Sequence, residues 1–337
     1  MQFNGRGRDI IVIGASAGGV EALRTLFRSL PADLPAAFLV VLHIPPHSPS
    51  DLSRILARET RMEVISVQAN QPLKPSTVYV ASADHHLLLT EEGVRITRGP
   101  KECRVRPAID VLFRSASVAY DSRVIGVILT GALDDGTAGL WAIKDRNGTA
   151  LVQDPSEATH DSMPRSAIEH VKTDFVGTLA ELANQIATRV RLPIDQLVTG
   201  PVNERHLIET SISKHGNGLE AGVMNIGNIS NYTCPDCHGV LVQIKEGSIV
   251  RFRCHTGHAF SIKTLIAEVN AVIDTGLWDA LRAIEERIML LRQMGDLADA
   301  QGSKEEAMLS RSQAKDAEER LKPLRDLVLD PDFFRTG

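Results

Sequence analysis

Aromatic residues are scarce. Tryptophan, tyrosine and phenylalanine make up 4% of the 337 residues, so the core must be mostly aliphatic. Long hydrophobic runs are missing too. The longest, near Phe38 to Leu42, is far too short to span a bilayer. Met1 to Asp9 is polar and has no apolar stretch of signal-peptide type. These absences lead to the expectation of a cytoplasmic chain with no membrane insertion. A basic excess is lacking as well: the net charge is -5 and the pI about 6.1, which argues against a nucleic-acid partner. There are only four cysteines, three of them between Cys234 and Cys254. In a reducing compartment such a cluster points to metal binding, not to disulfides. Cys103 stands alone, framed by no Cys–His arrangement, and reads as an ordinary thiol. The remaining balance, 43% hydrophobic and 23% charged, is that of a soluble globular protein long enough for two or three domains.

From Asp9 to about Arg191, short apolar runs alternate with helical patterns. Strands are expected at 10–13, 37–42, 63–67, 78–81, 86–90, 94–97, 124–129, 150–153 and 173–176. Helices are expected at 19–29, 49–60, 109–120, 137–146, 164–170 and 179–190. The runs IIVI, FLVVL and VIGVIL are apolar throughout, as strands covered by helices on both faces are. The fold expected is therefore α/β, a doubly wound, mostly parallel, Rossmann-like sheet. The short pieces from Val78 to Thr97 read as an antiparallel insertion. Residues 196–229, rich in Gly, Asn and Ser, read as a linker, with a short helix near 203–213. Residues 230–260 hold the Cys/His cluster. From 261 to about 329 the chain is nearly free of Pro and Gly, and Leu277, Leu281, Ile284, Ile288 and Leu291 share one helical face. A break at Gly302-Ser303 separates this run from a second, so a helical hairpin is expected. The domains expected are thus 1–195, the linker, the cluster module and the hairpin.

The turn Gly14-Ala15-Ser16-Ala17-Gly18 follows the first strand and opens the first helix. A phosphate loop and a nucleophile elbow both place backbone N–H groups there. A dinucleotide site needs an acid at the end of the second strand, but that strand ends in His43. Tyr79, Tyr120 and Tyr232 lack a lysine four positions on, and no G-K-[ST] is present, so a nucleotide-binding oxidoreductase is disfavoured. A serine nucleophile needs a base, and the base needs a carboxylate to hold its tautomer. His43 and the pair Asp134-Asp135 lie at the carboxyl ends of two further strands, where a parallel sheet gathers its active site. Read singly, Ser16 is a helix cap, His43 a surface residue and Asp-Asp-Gly a turn. Their joint placement points to a serine hydrolase.

At these residues the sequence resembles the chemotaxis protein-glutamate methylesterases, the CheB-type catalytic domain. The matching stretches are IGASAGGVEAL, VVLHIPP, RPAIDVLFRSA from Arg106, VILTGALDDGTAGL and MPRSAI, in that order over residues 9 to about 190. The resemblance implies hydrolysis of glutamyl methyl esters on chemoreceptor-type proteins, with glutamine deamidation as a companion activity. By motif, Ser16 is the nucleophile, His43 the base and Asp135 the orienting carboxylate, with Asp134 the alternative third member. No metal or cofactor is expected in catalysis. Arg106 is either a support for an acidic receptor surface or a structural arginine. Ala17 and Ala132 stand where many relatives have Thr and Met, near the expected oxyanion hole. Familiar members carry a receiver domain ahead of the catalytic one. Here the motif begins at residue 10, so the expectation is that none precedes it and that control by an attached phosphorylated domain is lacking.

Cys234-x2-Cys237, then sixteen residues, then Cys254-x3-His258 is spaced like a closed tetrahedral site, so a structural zinc held by these four is expected. His255 is the alternative fourth ligand. Residues 240–252 read as a hairpin turning at Glu246-Gly247, which makes a zinc ribbon too small to hold without metal. Such a module and the helices suit a signalling-protein partner. The competing reading of the whole chain is a weakly active or inactive adaptor that binds partners through ribbon and helices.

Overall fold

The computed structural model describes residues 7–45, 51–194, 200–330 and 332–333. The first half runs β1 (Ile10–Ala15), α1 (Gly19–Ser29), β2 (Ala37–Leu42), α2 (Leu52–Leu56), β3 (Glu63–Ser66), β4 (Thr77–Val80), β5 (His86–Thr90) and β6 (Gly93–Thr97). It continues through α3 (Ile109–Tyr120), β7 (Val124–Ile128), α4 (Thr137–Asp145), β8 (Thr149–Gln153), α5 (Ser162–His170), β9 (Phe175–Gly177) and α6 (Leu179–Arg191). Seven strands form one parallel sheet in the order β3-β4-β2-β1-β7-β8-β9. β1, β2 and β7 are buried along their whole length, because α1 and α6 cover one face and α3 and α4 the other. The chain leaves β1 toward β2 and later returns to β7 on the other side. The carboxyl ends of β2, β1 and β7 therefore flank a topological switch point, where such sheets form their clefts.

Two sequence expectations change. Thr77–Val80 is not part of an antiparallel insertion. It lies between β2 and β3, parallel to both, and only β5 and β6 form the antiparallel hairpin. Its four residues are all buried, so it reads as core strand from both faces. The helix expected over 49–60 has its start outside the described residues, and its end is at Leu56. Beyond it the N–H groups of Arg58 and Glu59 donate three residues back, and Glu59 turns to pair with Arg24 and Arg28 of α1.

The stretch expected to be a linker is also structured. It holds α7 (Glu204–His215) and α8 (Gly218–Ala221), followed by a four-stranded sheet of β10 (Asn228–Thr233), β11 (Val240–Glu246), β12 (Ile249–Cys254) and β13 (Ala259–Ser261). The expected boundary at 195 lies outside the described residues. Compact packing divides the chain at 265/266, so 204–265 packs in one compact unit with the parallel sheet. The reason is a buried ionic network that hydropathy does not display. Glu209 of α7, fully buried, accepts from Arg251 at 2.8 and 2.9 Å and from Arg253 at 2.9 Å. Glu102 accepts from Arg114 of α3 at 2.8 Å and pairs with Arg253 at the same distance. Glu246 accepts from Arg251 at 2.6 Å. Burial alone would raise Glu102, but Arg114 and Arg253 outweigh it and bring its carboxyl down to about 2. Three arginines thus face three glutamates, and α7 and β12 are joined to α3.

The second compact unit, 266–337, contains most of α9 (Ile262–Ala300) and all of α10 (Lys304–Val328). Within it Leu281, Ile288 and Leu291 pack on Ala314, Ala317 and Leu321, which makes the expected hairpin. Arg311 reaches Asp296 at 3.0 Å, and Arg292 pairs with Glu318. No helix among the described residues is long and apolar enough to cross a membrane.

Removing one partner of a buried network leaves the others desolvated and unpaired. Glu209→Ala leaves three guanidinium groups to two carboxylates in a buried place and is expected to lower the unfolding free energy of the first unit by about 3–5 kcal/mol. Urea denaturation checks it, and a loss below about 1 kcal/mol would refute the role given to the network.

Candidate active site

β1 delivers Ser16, β2 delivers His43, and the loop after β7 delivers Asp134 and Asp135. Ser16 sits in a bend held on both sides. Its N–H donates to the Thr130 carbonyl at 3.0 Å, and its own carbonyl accepts from Gly19 at 2.8 Å. Gly18 has φ +75 there, and a Cβ on it would meet Thr159 at 2.8 Å, so the bend requires glycine. Thr130 Oγ1 donates to the Ala17 carbonyl at 2.9 Å and ties the bend to β7.

His43 Nδ1 lies 3.0 Å from Ser16 Oγ, and His43 Nε2 lies 2.7 Å from Asp135 Oδ2. Asp135 is an acceptor for backbone donors as well. Its Oδ2 accepts from Ile109 N–H at 2.7 Å and its Oδ1 from Asp110 N–H at 3.0 Å. A carboxylate so employed assigns the ring proton to Nε2, which leaves Nδ1 to accept from the serine hydroxyl. The three side chains are therefore joined in the order needed for a serine nucleophile, its base and the group that orients the base.

Asp135 caps a helix that does not cap itself. Ala108, the N-cap of α3, offers no side-chain acceptor, and Asp135 takes the first two N–H groups of that helix. The reverse contact also exists. Gly136, the N-cap of α4, has no side chain, and Asp110 Oδ1 accepts from Gly136 N–H at 3.0 Å and Gly139 N–H at 2.6 Å. A Cβ at Gly139 would meet Asp110 Cα at 3.0 Å, so the close approach of α3 and α4 needs that glycine.

Residues 11–186, just over half of the chain, match the CheB methylesterase family. The chain belongs to that family. A putative protein-glutamate methylesterase/protein-glutamine glutaminase of Leptospira interrogans is 40% identical over 176 residues, 52% of this chain and 91% of the relative. A protein-glutamate methylesterase/protein-glutamine glutaminase 2 of Methanosarcina mazei is 36% identical over 192 residues, 55% of this chain and 52% of that one. The chain thus spans about half the length of the latter relative. The crystal structure of the Thermotoga maritima CheB methylesterase catalytic domain is similar at a TM-score of 0.52 and 32% identity, covering 53% of this chain and 97% of that one.

Within the CheB methylesterase segment the remaining candidates separate. Asp134 does not reach His43. Its Oδ1 accepts from Ser261 Oγ at 2.8 Å. Arg106 is committed to structure: its Nε and Nη2 hold Asp84 at 2.9 and 2.6 Å, and Nη1 donates to the Gly99 carbonyl. Cys103 is buried, and burial pushes its thiol well up. Sequence reasoning missed Asp110. The signal was an acid in the first turn of a helix preceded by Pro-Ala, which cannot cap. It also missed Ser261, which lies beyond the family segment.

The Cys/His cluster lies outside that segment too. The ligand atoms of Cys234, Cys237, Cys254 and His258 all fall within 4.8 Å of one another. Cys237 Sγ and Cys254 Sγ are 3.6 Å apart, and His258 Nδ1 is 3.7 Å from Cys234 Sγ and 3.6 Å from Cys254 Sγ. Bonds of about 2.3 Å to sulfur and about 2.0 Å to nitrogen at tetrahedral angles give edges of roughly 3.5–3.8 Å, so the donor set fits zinc. His255 is packed elsewhere: its ring covers Gly239, whose Cβ would meet it at 2.1 Å.

Burial, and after it the Asp135 carboxylate, push Asp110 up to about 8. Its folded value then exceeds its unfolded one, so the native state holds one more proton between the ordinary carboxylate range and about 8. This group's contribution to stability is therefore complete at acid pH and lost as pH rises through that window. Asp110→Asn keeps the acceptor for Gly136 and Gly139 and removes the titration. Urea denaturation from pH 5 to 8 is expected to show a smaller decline in the variant than in the wild type. Parallel declines would remove Asp110 as the cause.

Proposed function

We propose that this chain is a serine-dependent protein-glutamate methylesterase acting on methylated chemoreceptor-type proteins, with glutamine deamidation at the same site. The observation that carries the reading is the continuous chain Ser16–His43–Asp135 at the carboxyl edge of three adjacent strands. The CheB methylesterase relatives support the substrate class.

In the proposed reaction Ser16 Oγ attacks the ester carbonyl carbon while its proton passes to His43 Nδ1. The carbonyl π pair moves onto oxygen, returns, and expels the methoxy group, which leaves as methanol with the proton from His43. Water then attacks the acyl-serine with His43 as base, and the glutamate and free Ser16 are released. With glutamine, ammonia leaves in place of methanol. Asp135 stabilises the imidazolium formed in each half. The N–H groups of Ala17 and Ala132 have no protein acceptor among the described residues, and we assign them to the carbonyl oxygen as charge develops on it. A side chain is not needed for that donation, so alanine at both positions is compatible with catalysis.

We also propose that Cys234, Cys237, Cys254 and His258 hold a structural zinc ion. Four protein donors leave no open position, so the ion would brace β11–β13 and take no part in the reaction. Elemental analysis of the purified full chain is expected to give one zinc per chain. Cys237→Ser is expected to abolish retention and to lower the melting temperature. A metal-free wild-type chain of unchanged stability would remove the proposal.

Methanol release from a methylated receptor tests the enzyme reading directly. Ser16→Ala is expected to eliminate it with the fold kept, and Asp135→Asn, which also gives up one of the two α3 capping acceptors, to reduce kcat about 10⁴-fold. Full activity in Ser16→Ala would sink the assignment. Absence of turnover in the wild type together with no fluorophosphonate labelling of Ser16 would favour a binding adaptor.

A further inference from the structure

Within the second unit α9 carries two apolar seams. The first, Leu281, Ile284, Ile288 and Leu291, packs on α10. The second runs from Ile266 to Leu297 in alternating steps of three and four residues, the spacing of a coiled-coil seam. From Ala280 onward each of its positions directly precedes one of the first seam, so the two lie about 100° apart around the helix. A helix that packs between two neighbours in a bundle presents its apolar residues in that way. The second seam has no neighbour: all ten of its positions are exposed. Its six large aliphatic side chains are 40–60% exposed, and an apolar row of that size marks an interaction surface.

The order of residues along the seam identifies what covers it. Laid end for end against a second copy of itself, it sets large residues against large ones. Ile266 then faces Leu297, Val269 faces Met294 and Ile273 faces Leu290. At the centre Ala280 faces Ala283, and the one charged member, Arg287, faces Gly276, the one member without a side chain. A register moved by seven residues sets Arg287 against Val269 or Ala283 and leaves large residues over small ones. A parallel pairing stacks Arg287 on Arg287.

Two features of the single chain have no account without that pairing. Gly276 stands in the interior of a 39-residue helix, where glycine weakens the structure. A Cβ on it would meet nothing within 4 Å, so no contact within the chain requires glycine. Arg287 has no acidic partner among the described residues, while Arg282 is shared by Asp279 at 3.0 Å and Glu286 at 3.7 Å. In the end-for-end pairing Gly276 makes room for the Arg287 side chain, and Asp279 of the second copy stands one turn from it. The area suffices as well. The six aliphatic side chains expose roughly 600 Å² per chain, so two seams together exceed the roughly 1,000 Å² that a specific interface needs.

We propose that α9 is a self-association surface, through which two copies of this chain pair antiparallel about a two-fold axis, each seating its Arg287 at Gly276 of the other. The inference is independent of the reaction assigned to Ser16.

Sedimentation of the full chain is expected to give twice 36.7 kDa. Gly276→Leu fills the notch and Leu290→Glu charges the seam. Each acts twice in a symmetric pair and should raise the dissociation constant about a hundredfold or more. Both positions are exposed in the single chain, so helicity by circular dichroism should be kept. Chains carrying Ile266→Cys mixed with chains carrying Leu297→Cys should form a disulfide-linked pair on oxidation. Neither variant should do so alone, because like positions lie about 45 Å apart along the antiparallel helices. A wild type that stays at 36.7 kDa up to about 100 μM overturns the proposal, and that result needs no variant to fold. A dimer that survives both Gly276→Leu and Leu290→Glu uses another surface and overturns it too. Cross-linking of each cysteine variant with itself would mean a parallel pair and overturn the register.

Discussion

Two helices that cannot cap themselves cap each other, and the site depends on that exchange. Asp135 precedes α4 and serves the N–H groups of α3, while Asp110 begins α3 and serves those of α4. Each carboxylate satisfies donors that burial would otherwise leave unpaired, at about 1 kcal/mol or more apiece. The cost is two acids in one buried place, and it falls on Asp110, whose carboxyl is pushed up. Asp135 is left with peptide donors on both oxygens and the imidazole of His43 on one. A carboxylate held that way has little freedom to move, which is the preorganisation that the base role proposed for His43 requires.

The same logic extends outward to the part of the chain beyond the family segment. β13 contributes Ser261, whose hydroxyl donates to Asp134, the neighbour of Asp135, and also accepts from Thr264 N–H at the start of α9. Two residues earlier Ala259 donates to the Lys101 carbonyl and accepts from Cys103 N–H. His258, a proposed zinc ligand, directly precedes Ala259. One short strand thus joins the Cys/His cluster, the acid loop and the segment 101–103. The arginine–glutamate network behind it is stabilising only as a complete set, because each of its members is nearly or fully out of water.

The parallel sheet was legible because its strands are apolar on both faces, a pattern few other elements produce. Ser16, His43 and Asp135 were legible because parallel strands end on one edge, so residues 27 and 119 positions after Ser16 can be placed beside it from sequence order alone. β4 was misread since its position between β2 and β3 depends on a crossover that hydropathy does not encode. The packing of 204–265 was hidden for a different reason. It is carried by Glu102, Glu209, Arg251 and Arg253, residue types that read as surface, and only their mutual pairing makes them interior. Asp110 was hidden in the same way, as one more acid in a first helical turn.

That difference has a physical basis. Apolar burial is read from single residues, because each methylene contributes on its own. Buried charge is stable only as a correlated set, so no member announces its role in isolation. In this chain the edge that carries Ser16, His43 and Asp135 is built by the first kind of interaction. The contacts that hold its walls in register are of the second kind. The elbow glycines, which fit either a phosphate loop or a nucleophile, are ambiguous for the same reason: what decides between the two is His43 and Asp135, on other strands.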